Sequence, residues 1–141
     1  MTTQQDDKSA IQALINSQFA SLSWSADQPA HWADFETGFV SEAQLFPAAR
    51  PVKPMTVKSF RTRMEKLRTD GTLTNFKETL GPIKVWVIGQ VAVAIAGCEM
   101  VENEHTITRD ISIFLLVKEE DTWRIAAQGW DVVEDFQSIG L

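Results

Sequence analysis

The chain has 141 residues, 44% of them hydrophobic and 23% charged, and a formal net charge of −6. That length suits one domain over residues 1–141, and the balance excludes disordered and fibrous classes. The negative charge argues against nucleic acid as a partner, since the one basic run, Lys58, Arg61, Arg63, Lys66 and Arg68, is interleaved with Glu65 and Asp70 as on a solvated helix face.

Cys98 is the only cysteine, so no internal disulfide can form. The stretch from Met1 to Ser9 is polar and acidic, unlike a signal peptide, and no apolar run approaches the roughly 18 residues of a membrane span. A cytoplasmic protein with no membrane partner is expected. With no CxxC, no HExxH and only His31 and His105 as histidines, no metal site is predicted.

In chain order, Ile11, Leu14, Ile15, Gln18, Phe19 and Leu22 recur at helical spacing, which predicts a first helix from Asp7 to Trp24. Asp27 as N-cap, Pro29 early in the helix and the repeat Trp32, Phe35, Phe39 predict a short second one. Glu42 to Phe46 reads as a brief strand, ended by the prolines at 47, 51 and 54, so 47–55 is a loop. Thr56 caps a third helix with the stripe Val57, Phe60, Met64 and Leu67, closed at Gly71.

After Gly71 the period changes to two. Strands are predicted around Ile83–Ile88, then at Val91–Met100, Thr106–Val117 and Thr122–Val133, joined by turns of a few residues. Such short links make neighbours antiparallel, and helices before strands define an α+β class.

The last turn and strand, Glu119-Glu120-Asp121-Thr122-Trp123-Arg124-Ile125, resemble the acidic turn and Trp-basic-Ile signature of the nuclear transport factor 2-like (NTF2-like) superfamily. The order of elements over nearly the whole chain extends the likeness: the first helix, Trp32 to Phe39, Ser41-Glu42-Ala43, the third helix and the Gly turn before Ala92. The chain is most similar to its SnoaL-like and ketosteroid-isomerase-like bacterial members. The resemblance implies a cone-shaped, cystatin-like fold, three N-terminal helices on a curved, mainly antiparallel sheet with a deep pocket. It does not imply one chemistry, because that scaffold hosts isomerases, dehydratases, cyclases and plain binding domains. The chain also departs from the pattern. Phe46 stands before Pro47 where ketosteroid isomerases carry an acid, there is no tyrosine, and Ala127 and Gly129 occupy last-strand positions where dehydratase-like members use histidine.

Alternation supplies the candidate site. Arg109 shares parity with Ile111, Ile113, Leu115 and Val117, and Asp131 with Trp123 and Ile125, so both are expected on the pocket side, as a ligand-orienting pair or a structural ion pair near the rim. Glu78 shares parity with Phe76 and Leu80 and is either a lone pocket carboxylate or an exposed strand-end residue. His31 and Asp34 lie three residues apart, the spacing of a His–carboxylate general base or of two solvated neighbours. Trp32 and Phe60 belong to an aromatic set of which part lines the pocket. Cys98 is expected to be buried packing.

Two functions fit. One is a cofactor-independent isomerase, dehydratase or cyclase moving a proton on a small, largely apolar substrate, with Asp34 and His31 catalytic. The other is a non-enzymatic ligand-binding or dimerisation module. The opposite parity, Ser112, Phe114 and Leu116 with Ala126, Gln128 and Trp130, would then face outward and, extended by Trp86, build a homodimer, unless a β-bulge reverses parity or the segment after Glu134 folds over that face.

Overall fold

The computed structural model describes residues 3–140. Helix α1 spans Gln4–Ser21, α2 Trp32–Thr37 and α3 Val57–Thr69; the strands are β1 Phe39–Phe46, β2 Met55–Thr56, β3 Phe76–Ile88, β4 Val91–Glu102, β5 Thr106–Glu119 and β6 Thr122–Val133, and a 3-10 turn covers Phe136–Ile139. The six strands form one sheet in the order β2-β1-β6-β5-β4-β3, antiparallel except where β1 runs parallel to β6. No helix among the described residues is long and apolar enough to cross a membrane.

Local chemistry starts α1 and α3. Thr3 and Thr56 begin α1 and α3 with capping boxes, each hydroxyl accepting from the amide three residues on. The first helix stops at Ser21, short of Trp24, because the Trp24 backbone pairs with Phe76 in both directions while its indole N–H donates to the Leu73 carbonyl at 2.9 Å. A turn at Ser25–Gln28 likewise delays α2 to Trp32, and the sheet takes up the chain at Gly38, whose carbonyl accepts from Ile125. β1 therefore starts at Phe39, earlier than the alternation suggests. A Cβ on Gly38 would press on the side-chain amide of Gln18 and displace it from its hydrogen bond to the Phe35 carbonyl.

Helix α1 lies on the sheet along β3, and its Ile11, Ile15 and Phe19 share one buried core with Phe114, Leu116 and Ile125, the Phe19 and Phe114 ring centroids 6.1 Å apart. Full burial of each such side chain stabilises the fold by about 2 kcal/mol. A polar lock joins the same layers: buried Asp7 accepts from Lys118 Nζ and Trp123 Nε1, both at 3.0 Å.

Two bulges decide which residues face the helices. Leu80 pairs with Cys98 but Ile83 with Ala96, so β3 carries one extra residue at Gly81-Pro82. Leu115 pairs with Ala127 but Leu116 with Ile125, so β6 carries one extra at Ala126. Each insertion flips the alternation. In β6, Trp123 and Ile125 point inward, but beyond Ala126 the inward residues are Gln128 and Trp130, and Asp131 is exposed.

The expected parity of β5 is reversed as well. Its inward residues are Asp110, Ser112, Phe114 and Leu116, with Phe114 fully buried, opposite the small side chains Cys98, Ala96, Ala94 and Ala92 of β4. Ile113 (55% exposed) and Leu115 (48%) face outward, so Phe114, Leu116 and Trp130 belong to the interior and not to an outer interface. The C-terminal turn does cross the outer face, but only at one end. The Phe136 ring lies on Gly81 and Gly97, where an added Cβ would come within 2.8 and 2.7 Å of its carbons.

Replacing Asp7 by Ala strips Lys118 of a buried carboxylate and the Trp123 indole of its acceptor. Urea unfolding should show a loss of about 3 kcal/mol at unchanged m-value; a change below about 0.5 kcal/mol would show that the lock is dispensable.

Candidate active site

Between the helices and the inner face of the sheet lies a cavity of about 320 Å³. α1 contributes Phe19 and Leu22, α3 contributes Phe60, Met64 and Leu67, and the sheet contributes Phe76, Met100 and Trp130, so most of the wall is apolar and aromatic. Phe60 forms part of the wall, stacked on Phe35 and edge-on to Trp130 with centroids at 5.7 and 5.8 Å. Residues 47–49 border it, in a loop whose carbonyls accept from the Arg50 guanidinium.

The polar groups gather on the sheet: Glu78 from β3, Asp110 and Ser112 from β5 and Gln128 from β6, with Arg63 and Glu102 also lining the space. Gln128 donates to the Ser112 hydroxyl at 3.2 Å, and Glu102 accepts from Thr108. Oε2 of Glu78 accepts from the Cys98 thiol at 2.9 Å. Asp110 is only 7% exposed, and its Oδ1 is buried without a hydrogen-bond partner among the described residues. An orphaned carboxyl oxygen in a cavity wall is costly unless a ligand or a proton satisfies it.

Burial dominates the electrostatics. It pushes the Glu78 carboxyl up to about 8, opposed by the thiol hydrogen bond and reinforced by repulsion from Asp110. Burial pushes Asp110 up to about 7. It also pushes the Cys98 thiol far up, with the charge of Glu78 adding to the effect, so Cys98 stays protonated. Two carboxyls lining one cavity and both raised toward neutral pH can divide a proton between them, the arrangement of an acid and a base.

The other expected site residues fall elsewhere. His31 and Asp34 are exposed and edge a separate surface hollow beside Arg61 and Glu65, because α2 turns that face outward. Trp32 is buried behind the cavity wall, its indole N–H donating to Glu65 at 2.8 Å and its ring edge-on to Phe35 and Phe60. Arg109 lies on the outer face, paired with Glu99 at 3.1 Å, and Asp131 accepts from the Val132 amide, so these two do not form a pocket pair. Glu78 and Phe60 are the two expected residues that the fold brings into the cavity.

Asp110 was missed because Arg109 and the stripe Ile111, Ile113, Leu115, Val117 look more like a core than Asp110, Ser112, Phe114, Leu116 does. The cue lay in the second stripe, which starts polar and ends apolar, as a strand does when it runs from a pocket into a core.

No family model matches the sequence, and no curated protein matches it. Solved structures do match over almost the full length. An NTF2-like protein of unknown function from Pseudomonas putida KT2440 superposes with a TM-score of 0.72 at 13% identity, covering 97% of this chain and 94% of that one. A protein from Novosphingobium aromaticivorans provisionally assigned as an aromatic ring hydroxylase gives 0.71 at 15% identity, covering 95% and 94%. One from Novosphingobium aromaticivorans DSM 12444 provisionally assigned as a scytalone dehydratase gives 0.67 at 12% identity, covering 90% and 84%. The chain therefore has the NTF2-like, cystatin-like fold, with mixed α+β architecture.

The raised carboxyls set a pH dependence of stability. Their folded midpoints, about 8 and about 7, lie above the unfolded values of 4.5 and 3.8, so between those limits the folded state holds protons that the unfolded state releases. That contribution to stability is complete below the unfolded midpoints and is lost as pH rises through the folded ones. The melting temperature should fall from about pH 5 to about pH 8.5, and Glu78→Gln should shrink the fall. A variant with the same pH slope as the parent would contradict the burial of Glu78.

Proposed function

We propose that the cavity binds a small, largely apolar molecule and that Asp110 and Glu78 move a proton on it, as base and acid, in an isomerase- or dehydratase-type reaction. The observation that carries this reading is the orphaned Oδ1 of Asp110, 7% exposed in the cavity wall beside a second raised carboxyl. Aromatic walls suit an unsaturated or aromatic body, and the polar groups suit a carbonyl at its inner end. The fold relative provisionally assigned as a scytalone dehydratase is consistent with this class of chemistry.

The step balances within the pair. Ionised Asp110 takes a proton from the carbon beside a carbonyl, the electron pair forms a carbon–carbon double bond, and the charge developing on the carbonyl oxygen is met by the proton of Glu78. This assignment replaces His31 and Asp34, which sit outside the cavity. The rate should rise through about pH 7 as Asp110 ionises and fall through about pH 8 as Glu78 loses its proton.

A homodimer is proposed through the outer face, on a patch that keeps only Trp86 of the residues the alternation named. Trp86, Val93 and Leu115 lie in register across three strands, beside Ile95 opposite Ile113, and Trp86 is 47% exposed. A half-exposed apolar band of this kind in the middle of a sheet favours burial against a second copy.

Incubation with 2-tetralone in deuterium oxide, followed by NMR, tests the chemistry. The protein should speed deuterium exchange at the carbons beside the carbonyl, and Asp110→Asn should slow it by about 100-fold or more; exchange that survives in Asp110→Asn would remove Asp110 from the mechanism. For the dimer, sedimentation should show Leu115→Lys dissociating a species that is dimeric at micromolar concentration. A parent protein that is monomeric there would defeat the proposal.

A further inference from the structure

Cys98 stands between the two carboxyls. In register it faces Leu80 on β3 and Asp110 on β5, and its wholly buried side chain donates to Oε2 of Glu78 at 2.9 Å. A buried thiol alone would be packing. Here it contacts the acid of a ligand cavity whose neighbouring carboxyl oxygen, Oδ1 of Asp110, is buried and unpartnered.

A carboxylic acid has two oxygens and one proton, and only one of them can present that proton to a ligand. The direction of the Cys98 hydrogen bond settles which. The thiol's other acceptor, the Glu99 carbonyl, is far off at 3.9 Å. The S–H therefore points at Oε2. Oε1 has no protein partner among the described residues, and Glu78 lines the cavity. The charged groups facing this end are Asp110 from β5, Glu102 from β4 and Arg63 from α3, while α1 and β6 add only the neutral Gln18 and Gln128. None of these donates to Oε2, so the thiol alone tells the two oxygens apart.

We propose that Cys98 is a positioning residue, whose S–H fixes Oε2 of Glu78 as an acceptor and so leaves the acid proton on Oε1, toward the cavity. The proposal rests on the reading of Glu78 as the acid of the pair. It also has a definite sign. A thiol donating to the carboxyl favours the ionised form and holds its midpoint down, whereas an acid giving its proton to sulfur would be held up.

The test is a pH titration by NMR of protein labelled with carbon-13 at the glutamate carboxyls, the Glu78 resonance being identified by its loss in Glu78→Gln. Cys98→Ala should raise the Glu78 midpoint above about 8, by about 0.5 to 1 pH unit. Cys98→Ser, which keeps a donor, should leave it at or below the parent value. A midpoint that falls in Cys98→Ala, or one that neither variant moves, would overturn the assignment. Because the titration uses no substrate, its result stands apart from the 2-tetralone assay. If exchange occurs, the upper limb of its pH profile should move with the Glu78 midpoint in Cys98→Ala, a shift that a merely structural role would not produce. Failure of exchange in the parent would overturn the functional reading while the titration still decided the part played by Cys98.

Discussion

Two extra residues decide what this cavity contains. Without the bulge at Gly81-Pro82, inward Phe76, Glu78 and Leu80 could not be followed by inward Ile83, Val85 and Val87 on the same strand. Without the bulge at Ala126, Trp123 and Ile125 could not pack against α1 while Gln128 and Trp130 line the pocket. In each case a strand changes parity midway, so one half serves the core and the other half serves the site. The bulges thus separate a dry region near Ile11, Ile125 and Leu116 from a polar region near Glu78 and Asp110.

That separation explains how the fold tolerates a buried carboxyl, Asp110, beside a half-buried one, Glu78. Neither faces a buried lysine or arginine, so each is stabilised by holding its proton rather than by a salt bridge. Elsewhere the same chain pairs its buried acid in the usual way, with Asp7 held by Lys118 and Trp123. The contrast is informative. A structural carboxylate receives a cation and an indole, while Asp110 is left with an empty oxygen facing a cavity. Sites that violate a rule obeyed in the rest of the molecule are where function is to be sought.

Much of the architecture was legible in the sequence because it depends on local chemistry. Thr56 before Val57 and Gly71 after Asp70 marked α3, the acidic turn at 119–121 marked the start of β6, and the switch from helical to alternating period marked the sheet. Helix ends fixed by distant partners were not legible, as with Trp24 bridging to Phe76. Of the site, Glu78 and Phe60 could be read from their stripes, but Asp110 could not. β5 is apolar on both faces, and only its register against Ala92, Ala94, Ala96 and Cys98 shows that the partly polar stripe is the inner one. Arg109 and Asp131 were misplaced for that reason and by the Ala126 bulge. His31 and Asp34 fit the spacing of a helical pair, but spacing does not say which way a helix of six residues turns its face.

The central claim is that Glu78 and Asp110 receive the polar end of an apolar ligand. A crystal structure with 2-naphthol, a planar mimic of the enol of 2-tetralone, tests it most directly. The account predicts the rings between Phe60, Met64 and Trp130, with the naphthol oxygen within hydrogen-bonding distance of Glu78 or Asp110. A naphthol whose oxygen points away from both carboxyls, or which binds outside the cavity, would contradict it.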